Sequence, residues 1–391
     1  MEGDFIKIND WLLPLSWIYG AGVRLRNQMF EMGMLKSRSF DIPVISVGNI
    51  TVGGSGKTPH VEYLINLLRD KVKVAVLSRG YKRKSKGYML ATADTPMSDI
   101  GDEPYQMKKK FADIYVAVDK DRCHGIDQLT TNEETSDTDV ILLDDAYQHR
   151  YVKPGVNILL VDYHRLIMYD KLLPAGRLRE PQKGKARADI VIVSKCPADL
   201  KPMEFRVITK AMNLFPYQKL YFTTLKYGSL RPIYGGEDRK LDTLTGDTSI
   251  LLLTGIASPQ QMIVDLKPYT ERITPFTFPD HHQYTDADID RINAEFEAMK
   301  GNDKMIVTTE KDNARLCGME GLSDEVKKNI YVLPVEVGFM LDQEEDFNEN
   351  IIGYVRKNSR NSILAKAKDD NKSDNSDNSG NRTRTISFRN N

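Results

Sequence analysis

The stretch IPVISVGNITVGGSGKTP, residues 42–59, leads from a short apolar run through a glycine-rich loop into the start of a helix. A strand, a loop containing GGSGKT and a following helix are the setting of a phosphate-binding P-loop. Glycines in such a loop let backbone N–H groups turn toward phosphate oxygens without a Cβ in the way. Lys57 supplies a cation for the β- and γ-phosphates, and the Thr58 hydroxyl is placed to bind Mg²⁺.

The loop therefore predicts a site for ATP and Mg²⁺ as cofactors. One position departs from the usual pattern, because Thr51 stands where a glycine is expected. The residues predicted to bind the nucleotide are Thr51, Val52, Gly53, Gly54, Ser55, Gly56, Lys57 and Thr58.

Apolar runs of strand length recur on the C-terminal side of the loop. With the strand before the loop they occupy residues 42–48, 73–78, 113–118, 139–144, 156–162 and 188–195. Near-continuous Val, Ile and Leu runs are typical of buried parallel strands, and helical spacers such as 59–70 make the pattern βαβ. The fold class is therefore predicted as α/β, with a P-loop NTPase-type, doubly wound, mostly parallel sheet.

A second series of alternating strands and helices begins near residue 217, which predicts a second, smaller α/β domain. We accordingly divide the chain into an N-terminal interfacial helical segment (1–40), a P-loop kinase core (41–210) and a smaller C-terminal α/β domain (211–365). Residues 366–391 are rich in Asn, Ser, Asp and basic residues and are predicted to form a disordered tail.

The overall charge argues against a nucleic-acid partner. Lys plus Arg and Asp plus Glu both number 55, so no whole-protein basic field exists. The three cysteines form no CxxC pair, which indicates neither a disulfide framework nor a zinc site. The apolar segment 11–23 is interrupted by Pro14 and two glycines, so it is a poor membrane span. Its tryptophans and nearby arginines suit either a helix in the lipid headgroup layer or a helix packed on the protein's own core.

A second group of magnesium ligands is expected in residues 139–150, DVILLDDAYQHR. This segment is an apolar strand that ends in two adjacent carboxylates. Ligands gather at the carboxyl ends of strands in open α/β sheets, and P-loop enzymes place a magnesium-binding Asp there. Asp144 or Asp145 is predicted to hold the metal, directly or through water; the sequence leaves open which of them does so.

Three further clusters point to a hydroxyl acceptor. The segment 77–87 concentrates cations around Arg79, GDEPYQM (101–107) offers Asp102 near a helix start, and FPDHHQYT (278–285) contains two adjacent histidines. No further ligands lie at metal spacing from those histidines. A carboxylate–histidine arrangement that prepares an alcohol to attack the γ-phosphate is the more economical hypothesis.

Taken together, the motifs resemble the tetraacyldisaccharide 4′-kinase family, the lipid A 4′-kinases of Gram-negative bacteria. The matching segments, in order, are LLPLSWIYG (12–20), VISVGNITVGGSGKTP (44–59), LSRGYKRK (77–84), GDEPYQM (101–107), LLDDAYQHR (142–150), LLPAGRLREP (172–181), FPDHHQYT (278–285) and TTEKDNARL (308–316). No single motif is decisive, but eight in the family's order are highly specific.

The resemblance implies ATP-dependent phosphorylation of the 4′-hydroxyl of a tetraacyldisaccharide 1-phosphate, a lipid A precursor. It implies a peripheral protein, expected to be a monomer, on the cytoplasmic face of the bacterial inner membrane, with the N-terminal helix dipping into the interface. The residue roles it implies are Asp102 as the base with His281 as its partner and Lys57 as a catalytic cation, Glu180 assisting Thr58, Asp144 and Asp145 at the metal, and Arg79, Arg122, Gln148 and His149 contacting the acceptor.

The alternative is a membrane-associated switch that hydrolyses a nucleotide to change partners. Guanine recognition usually needs an Asp two residues after a lysine, and the corresponding segment here reads Ser194-Lys195-Cys196-Pro197, which disfavours a GTPase. A kinase for a small soluble substrate would leave the Trp-rich N-terminus and the basic segment 79–86 without a purpose.

Overall fold

The strands predicted around the P-loop form the centre of one large sheet. The structure, a computed structural model, describes residues 8–256, 259–280, 282–316 and 319–359. Its strands are β1 (Val44–Asn49), β2 (Val74–Ser78), β3 (Met89–Leu90), β4 (Tyr115–Val118), β5 (Val140–Asp144), β6 (Val156–Asp162), β7 (Ile190–Ser194), β8 (Lys219–Tyr227), β9 (Arg231–Pro232), β10 (Ser249–Thr254), β11 (Ile273–Thr277), β12 (Lys304–Thr309), β13 (Ile330–Leu333) and β14 (Val335–Phe339).

Helices separate most of these strands. They are α1 (Leu13–Glu31), α2 (Lys57–Leu68), α3 (Met97–Ile100), α4 (Asp102–Lys110), α5 (Arg122–Thr131), α6 (Pro202–Met212), α7 (Gln260–Leu266), α8 (Asp286–Ala298), α9 (Glu310–Leu316), α10 (Asp324–Asn329) and α11 (Glu344–Asn358). Short 3₁₀ turns cover Asp10–Leu12, Tyr163–Arg165, Ile167–Tyr169, Gln182–Arg187 and Leu241–Thr243.

The large sheet has nine strands in the order β14-β8-β7-β6-β1-β5-β2-β4-β3. All neighbours from β8 to β4 pair in parallel, and only the two edge strands, β14 and β3, run antiparallel to their partners. The predicted doubly wound, mostly parallel α/β fold is confirmed. Strand β1 lies between β6 and β5, in a register that pairs Val47 with Asp144. The loops that follow β1 and β5 therefore open at the same edge of the sheet.

A smaller sheet of five strands has the order β11-β10-β12-β13-β9, parallel except for β9. Its faces are covered by two apolar clusters, one around Ile292, Phe296 and Ile306 and the other around Leu252 and Leu266. The second α/β unit expected from the sequence is thus present as a separate sheet.

The strand pairing does not follow the predicted division at residue 210. Strand β8 extends the large sheet beside β7, and the chain returns to that sheet through β14 after the small sheet is complete. Helix α11 then packs Phe347, Ile351 and Val355 into the core beneath the P-loop strand. The strands of the predicted 211–365 domain are therefore shared between two sheets, because apolar runs of equal length do not reveal which sheet they join.

Helix α1 combines anchored and exposed positions. The Ser16 hydroxyl donates to the Leu172 carbonyl (3.0 Å), and the Tyr19 hydroxyl donates to the Arg179 carbonyl (2.7 Å). Its apolar side chains are nevertheless largely exposed, with Trp17 and Ile18 each 70% exposed and the preceding Trp11 93% exposed. Within the described ranges, no helix has the length and apolar character needed to cross a bilayer. The tail predicted to be disordered, 366–391, lies outside the described residues.

Candidate active site

The phosphate loop joins the end of β1 to the start of α2. Gly53 has φ 118° and Gly56 has φ 79°, backbone conformations that favour glycine. Gly56 directly precedes Lys57, the first residue of α2. The helix N-terminus, with its unpaired N–H groups and partial positive charge, therefore faces the loop. This arrangement can hold phosphate oxygens.

Lys57 lies beside the carboxylates at the end of β5. Its Nζ is 3.5 Å from Oδ1 of Asp145, whose Oδ2 is 3.2 Å from Nη1 of Arg179. Burial would raise the pKa of the Asp145 carboxyl, but the Lys57 and Arg179 cations outweigh it and lower that pKa. Asp145 also has φ 46°, a left-handed conformation that is strained for a non-glycine residue. No role was assigned to Arg179 from the sequence, although it lies within the segment LLPAGRLREP (172–181).

Asp144 is more deeply buried than Asp145. The Ser78 hydroxyl donates to its Oδ2 (3.3 Å), while its buried Oδ1 has no hydrogen-bond partner within the described residues. Burial raises the pKa of Asp144 to about 7, and the carboxylates of Asp145 and Glu103 act in the same direction. A buried carboxylate oxygen without a donor, beside a second carboxylate, is the chemistry that fits a hard divalent cation.

Two arginines predicted to contact the acceptor lie near these carboxylates. Arg122 begins α5 and is buried; one guanidinium nitrogen donates to the Lys120 carbonyl (3.2 Å) and its Nε has no acceptor within the described part of the chain. Burial lowers the pKa of Arg122 to about 10, while the Asp144 and Asp145 carboxylates partly oppose that effect. Arg79 acts on Arg122 as a second nearby cation. The structure therefore brings both predicted cations to the carboxylate edge.

Gln148, His149 and Glu180 form the next wall. Gln148 donates from its side-chain nitrogen to the Asn49 carbonyl (2.7 Å) and to Glu180 (3.0 Å). Glu180 is buried and accepts two contacts from Nη2 of Arg187 (2.9 and 2.7 Å), an arginine to which the sequence reasoning assigned no role. The part of Glu180 at a metal stays a prediction, since its carboxylate is already bonded to Arg187 and Gln148. Burial lowers the pKa of His149 to about 4, and nearby Arg122 contributes.

Asp102 begins α4 and is held by an arginine of the small sheet. Nε and Nη2 of Arg315 donate to its Oδ2 at 2.9 and 2.6 Å. A second ion pair joins α4 to α9, which follows a strand of the small sheet: Lys311 lies 3.0 Å from Glu103, the residue after Asp102. Lys311 also lies 3.1 Å from Asp280. Sequence reasoning quoted TTEKDNARL (308–316) without assigning these two cations a role. Their i, i+4 spacing on a helix, which places both on one face, was the available signal.

The predicted partner of Asp102, His281, lies outside the described residues. Its neighbour Asp280 reaches the Arg315 guanidinium (3.9 Å), so this segment approaches the Asp102 end of α4. His282 faces elsewhere: its Nε2 lies 2.9 Å from the Asp288 carboxylate and its ring stacks on Phe278. His282 is therefore bonded to Asp288, the carboxylate that forms a capping box with Thr285 at the start of α8.

Comparison with known proteins identifies the family to which this site belongs. The family model described as tetraacyldisaccharide-1-P 4′-kinase matches residues 8–356. A tetraacyldisaccharide 4′-kinase of Phocaeicola vulgatus is 61% identical over 363 residues, covering 93% of this chain and 99% of that protein. One from Bacteroides fragilis is 54% identical over 377 residues, covering 95% and 100%. The crystal structure of "apo" form LpxK from Aquifex aeolicus in complex with ATP has a TM-score of 0.67 and 32% identity, covering 88% of this chain and 98% of that one. The resemblance inferred from the motifs is confirmed, and the chain belongs to the tetraacyldisaccharide-1-P 4′-kinase family.

Proposed function

We propose that this kinase transfers the γ-phosphate of ATP to the 4′-hydroxyl of a tetraacyldisaccharide 1-phosphate, a lipid A precursor, with Mg²⁺ as a cofactor. The observation that carries the proposal is the approach of Lys57 to Asp145 beside a loop whose glycines adopt phosphate-binding conformations. The ATP-bound relative of the same fold supports the choice of nucleotide.

The nucleotide side of the reaction needs charge neutralisation more than covalent chemistry. The N–H groups of residues 53–58 and the first turn of α2 would hold the β- and γ-phosphates, and Lys57 would exchange part of its contact with Asp145 for phosphate oxygens. Such a cation stabilises the charge that spreads over the transferred phosphoryl group. Thr51 and Val52 would line the entrance of the loop, where the Val52 N–H is already bonded to the Arg177 carbonyl (2.7 Å).

Asp144 and Asp145, with the Thr58 hydroxyl, would hold the divalent cation. The unpartnered Oδ1 of Asp144 supports this assignment. Held there, Mg²⁺ would supply positive charge that neutralises the phosphate oxygens. Glu180 is proposed to assist the metal site indirectly. It accepts a hydrogen bond from Gln148, whose side chain also donates to the carbonyl of Asn49, the last residue of β1.

The acceptor side combines a base with cations. Asp102 would orient the 4′-hydroxyl and accept its proton, and Arg315 holds its carboxylate in one direction for that task. His281 is proposed as its partner on the basis of the family resemblance. Arg79, Arg122, Gln148 and His149 would bind the sugar and phosphate of the acceptor, since guanidinium groups pair well with phosphate.

Helix α1 would place this site at a membrane surface. Its exposed Trp17 and Ile18, with Trp11 just before it, form an apolar surface near the exposed cation Arg24, a combination that suits the headgroup layer. We propose a peripheral protein, monomeric, at the cytoplasmic face of the inner membrane. Replacing Trp11, Trp17 and Ile18 with Ser should reduce co-sedimentation with anionic vesicles; unchanged sedimentation would contradict this role.

The test of the activity is direct. Purified protein is incubated with Mg·ATP and a detergent-dispersed tetraacyldisaccharide 1-phosphate, and the lipid is examined for a mass gain of one phosphoryl group. Lys57→Ala is the matched control. ATP loss without lipid phosphorylation would contradict the proposal and favour a nucleotide-hydrolysing switch.

A further inference from the structure

The backbone of the phosphate loop is bonded on one side only. Three consecutive carbonyls accept side-chain donors from outside the loop: Gly54 from the Lys195 ammonium, Ser55 from the Ser194 hydroxyl (2.9 Å) and Gly56 from Nδ1 of His60 (2.7 Å). Within the described ranges, the N–H groups of residues 53–56 donate to no protein acceptor. Ser55 is buried, so its unpaired N–H is unusual for a protein interior, while Gly53, Gly54 and Gly56 are open enough for a ligand to reach their N–H groups.

Lys195 is fixed from two directions. Besides the Gly54 carbonyl, its ammonium contacts Oδ2 of Asp162 (2.9 Å), the last residue of β6. Its backbone has φ 58°, a left-handed conformation that is unfavourable for lysine. Such strain persists where the surroundings over-determine it and is frequent at functional sites. Here it places residue 195 directly after β7, where its side chain meets the phosphate loop.

His60 connects the loop to β8. A carbonyl oxygen can only accept, so Nδ1 of His60 carries the hydrogen that bonds Gly56, and in the neutral ring Nε2 accepts from the Thr223 hydroxyl (3.0 Å). His60 and Thr223 are both buried, so this hydrogen-bonded pair is shielded from solvent. The Gly56 carbonyl therefore fixes the tautomer, and the Thr223 hydroxyl of β8 donates to the other ring nitrogen.

We propose that Ser194, Lys195 and His60 are positioning residues that hold the three loop carbonyls outward. The N–H groups that share peptide units with those carbonyls, those of residues 55–57, then face the phosphates before nucleotide arrives. None of the three needs to touch the phosphates themselves. The proposal rests on the proposed binding of ATP at this loop and deepens it, because it assigns the orientation of the loop to side chains outside GGSGKT.

The physical effect is preorganisation. A peptide unit whose carbonyl accepts a strong donor is polarised, which makes its other face a better hydrogen-bond partner. Fixing the amides in advance also removes an ordering penalty that nucleotide binding would otherwise include. The Asp162 carboxylate balances the Lys195 charge, so Lys195 acts on the loop mainly as a directed donor.

The experiment compares Lys195→Met with Lys108→Met. Lys108 is a matched control because its ammonium also donates to backbone carbonyls, those of Ala112 (3.1 Å) and Ile114 (2.9 Å), at the opposite end of α4 from Asp102. We expect Lys195→Met to raise the Kd for Mg·ATP and the KM for ATP about tenfold or more, the worth of one charge-assisted hydrogen bond, while kcat falls less. Lys108→Met should leave both constants for ATP unchanged.

Two further variants keep the result interpretable. Ser194→Ala removes one hydroxyl and should raise the Kd for ATP about threefold to tenfold. Lys195→Arg retains a donor and should recover most of the affinity that Lys195→Met loses. ATP constants within twofold of the parent in both Lys195→Met and Ser194→Ala would overturn the proposal. Failure of the parent protein itself to bind ATP would instead refute the proposed nucleotide site, and Lys57→Ala reports on that separately.

Discussion

The ion pair between Arg315 and Asp102 offers the sharpest test of how the part of the chain around the small sheet positions a predicted catalytic residue beside the large sheet. Arg315→Met removes a guanidinium that is 2% exposed and donates to Asp102, to Asp312 (3.0 Å) and to the Gly255 carbonyl (3.1 Å). Asp312 is completely buried, and Asp102 is 17% exposed. Removing the cation leaves the buried Asp312 carboxylate bonded to the Gly255 N–H (2.9 Å) and the Thr309 hydroxyl (2.7 Å) but without this counter-charge.

The magnitude follows from that burial. Breaking a buried pair by deleting one partner costs about 3–5 kcal/mol, because the remaining charge is uncompensated. Arg239 provides the matched comparison: it also donates two hydrogen bonds to a carboxylate, one to each oxygen of Asp303 (2.9 and 2.7 Å), but the two side chains are 27% and 39% exposed. Solvent screening limits such a pair to about 0.2–1 kcal/mol. Arg239→Met should therefore destabilise the protein several times less than Arg315→Met.

Urea unfolding followed by far-ultraviolet circular dichroism measures the stability of both variants. Kinetic assays supply the second readout: Arg315→Met should lower kcat about 100-fold through misplacement of Asp102, with little change in the KM for ATP. Equal destabilisation by the two substitutions would refute the burial argument. A large rise in the KM for ATP with unchanged kcat would refute the link to the acceptor side.

Further predictions concern the site itself. Lys57→Ala should cut kcat about 100-fold or more in the lipid phosphorylation assay, as expected for a group that clamps transferred charge; near-normal turnover would contradict the loop assignment. Asp102→Ala should slow transfer while sparing ATP binding, and an increase confined to the KM for ATP would argue against its role. Chelation of divalent cations with EDTA should abolish transfer, and Asp144→Asn should raise the Mg²⁺ concentration needed to restore it; an unchanged requirement would remove Asp144 from the metal site. Because the pKa of His149 is lowered to about 4, its contribution to stability is complete above about pH 6.5 and is lost as the pH falls toward 4. The Tm of His149→Gln should therefore fall less than that of the parent between pH 7 and pH 5. An equal fall in Tm for the two proteins would contradict the burial of that ring.

The local parts of the fold were predictable from the sequence. The structure of a glycine-rich loop after an apolar strand is determined locally. The positive φ angles of Gly53 and Gly56 and the helix start at Lys57 all lie within a few residues. The carboxylates at 144 and 145 could be placed near the loop for a similar reason. The carboxyl ends of parallel strands lie at the same edge of a sheet, even when other strands come between them in the sequence.

Long-range partners were not predictable in the same way. The pairing of β8 and β14 with the large sheet depends on which sheet edges remain open after the other strands have assembled. The apolar run of a strand does not indicate which sheet the strand joins. The contact of Arg315 with Asp102 joins residues 213 positions apart. Glu180 is a further case: the family resemblance implies that its carboxylate assists at a metal, which stays a prediction, and its contact with Arg187 could not be read from the sequence.

The return of the chain to the large sheet has a consequence for synthesis. Helix α11 covers the apolar surface around Ile45 and Val61 with Phe347, Ile351 and Val355, yet the entire small sheet must be translated before that helix exists. A nascent chain that has completed β8 therefore carries an uncovered apolar face and an open sheet edge, both of which promote aggregation. Helix α11 is translated after the small sheet and completes this core, so a chain that stops before residue 335 would be an aggregation-prone fragment and not a smaller kinase.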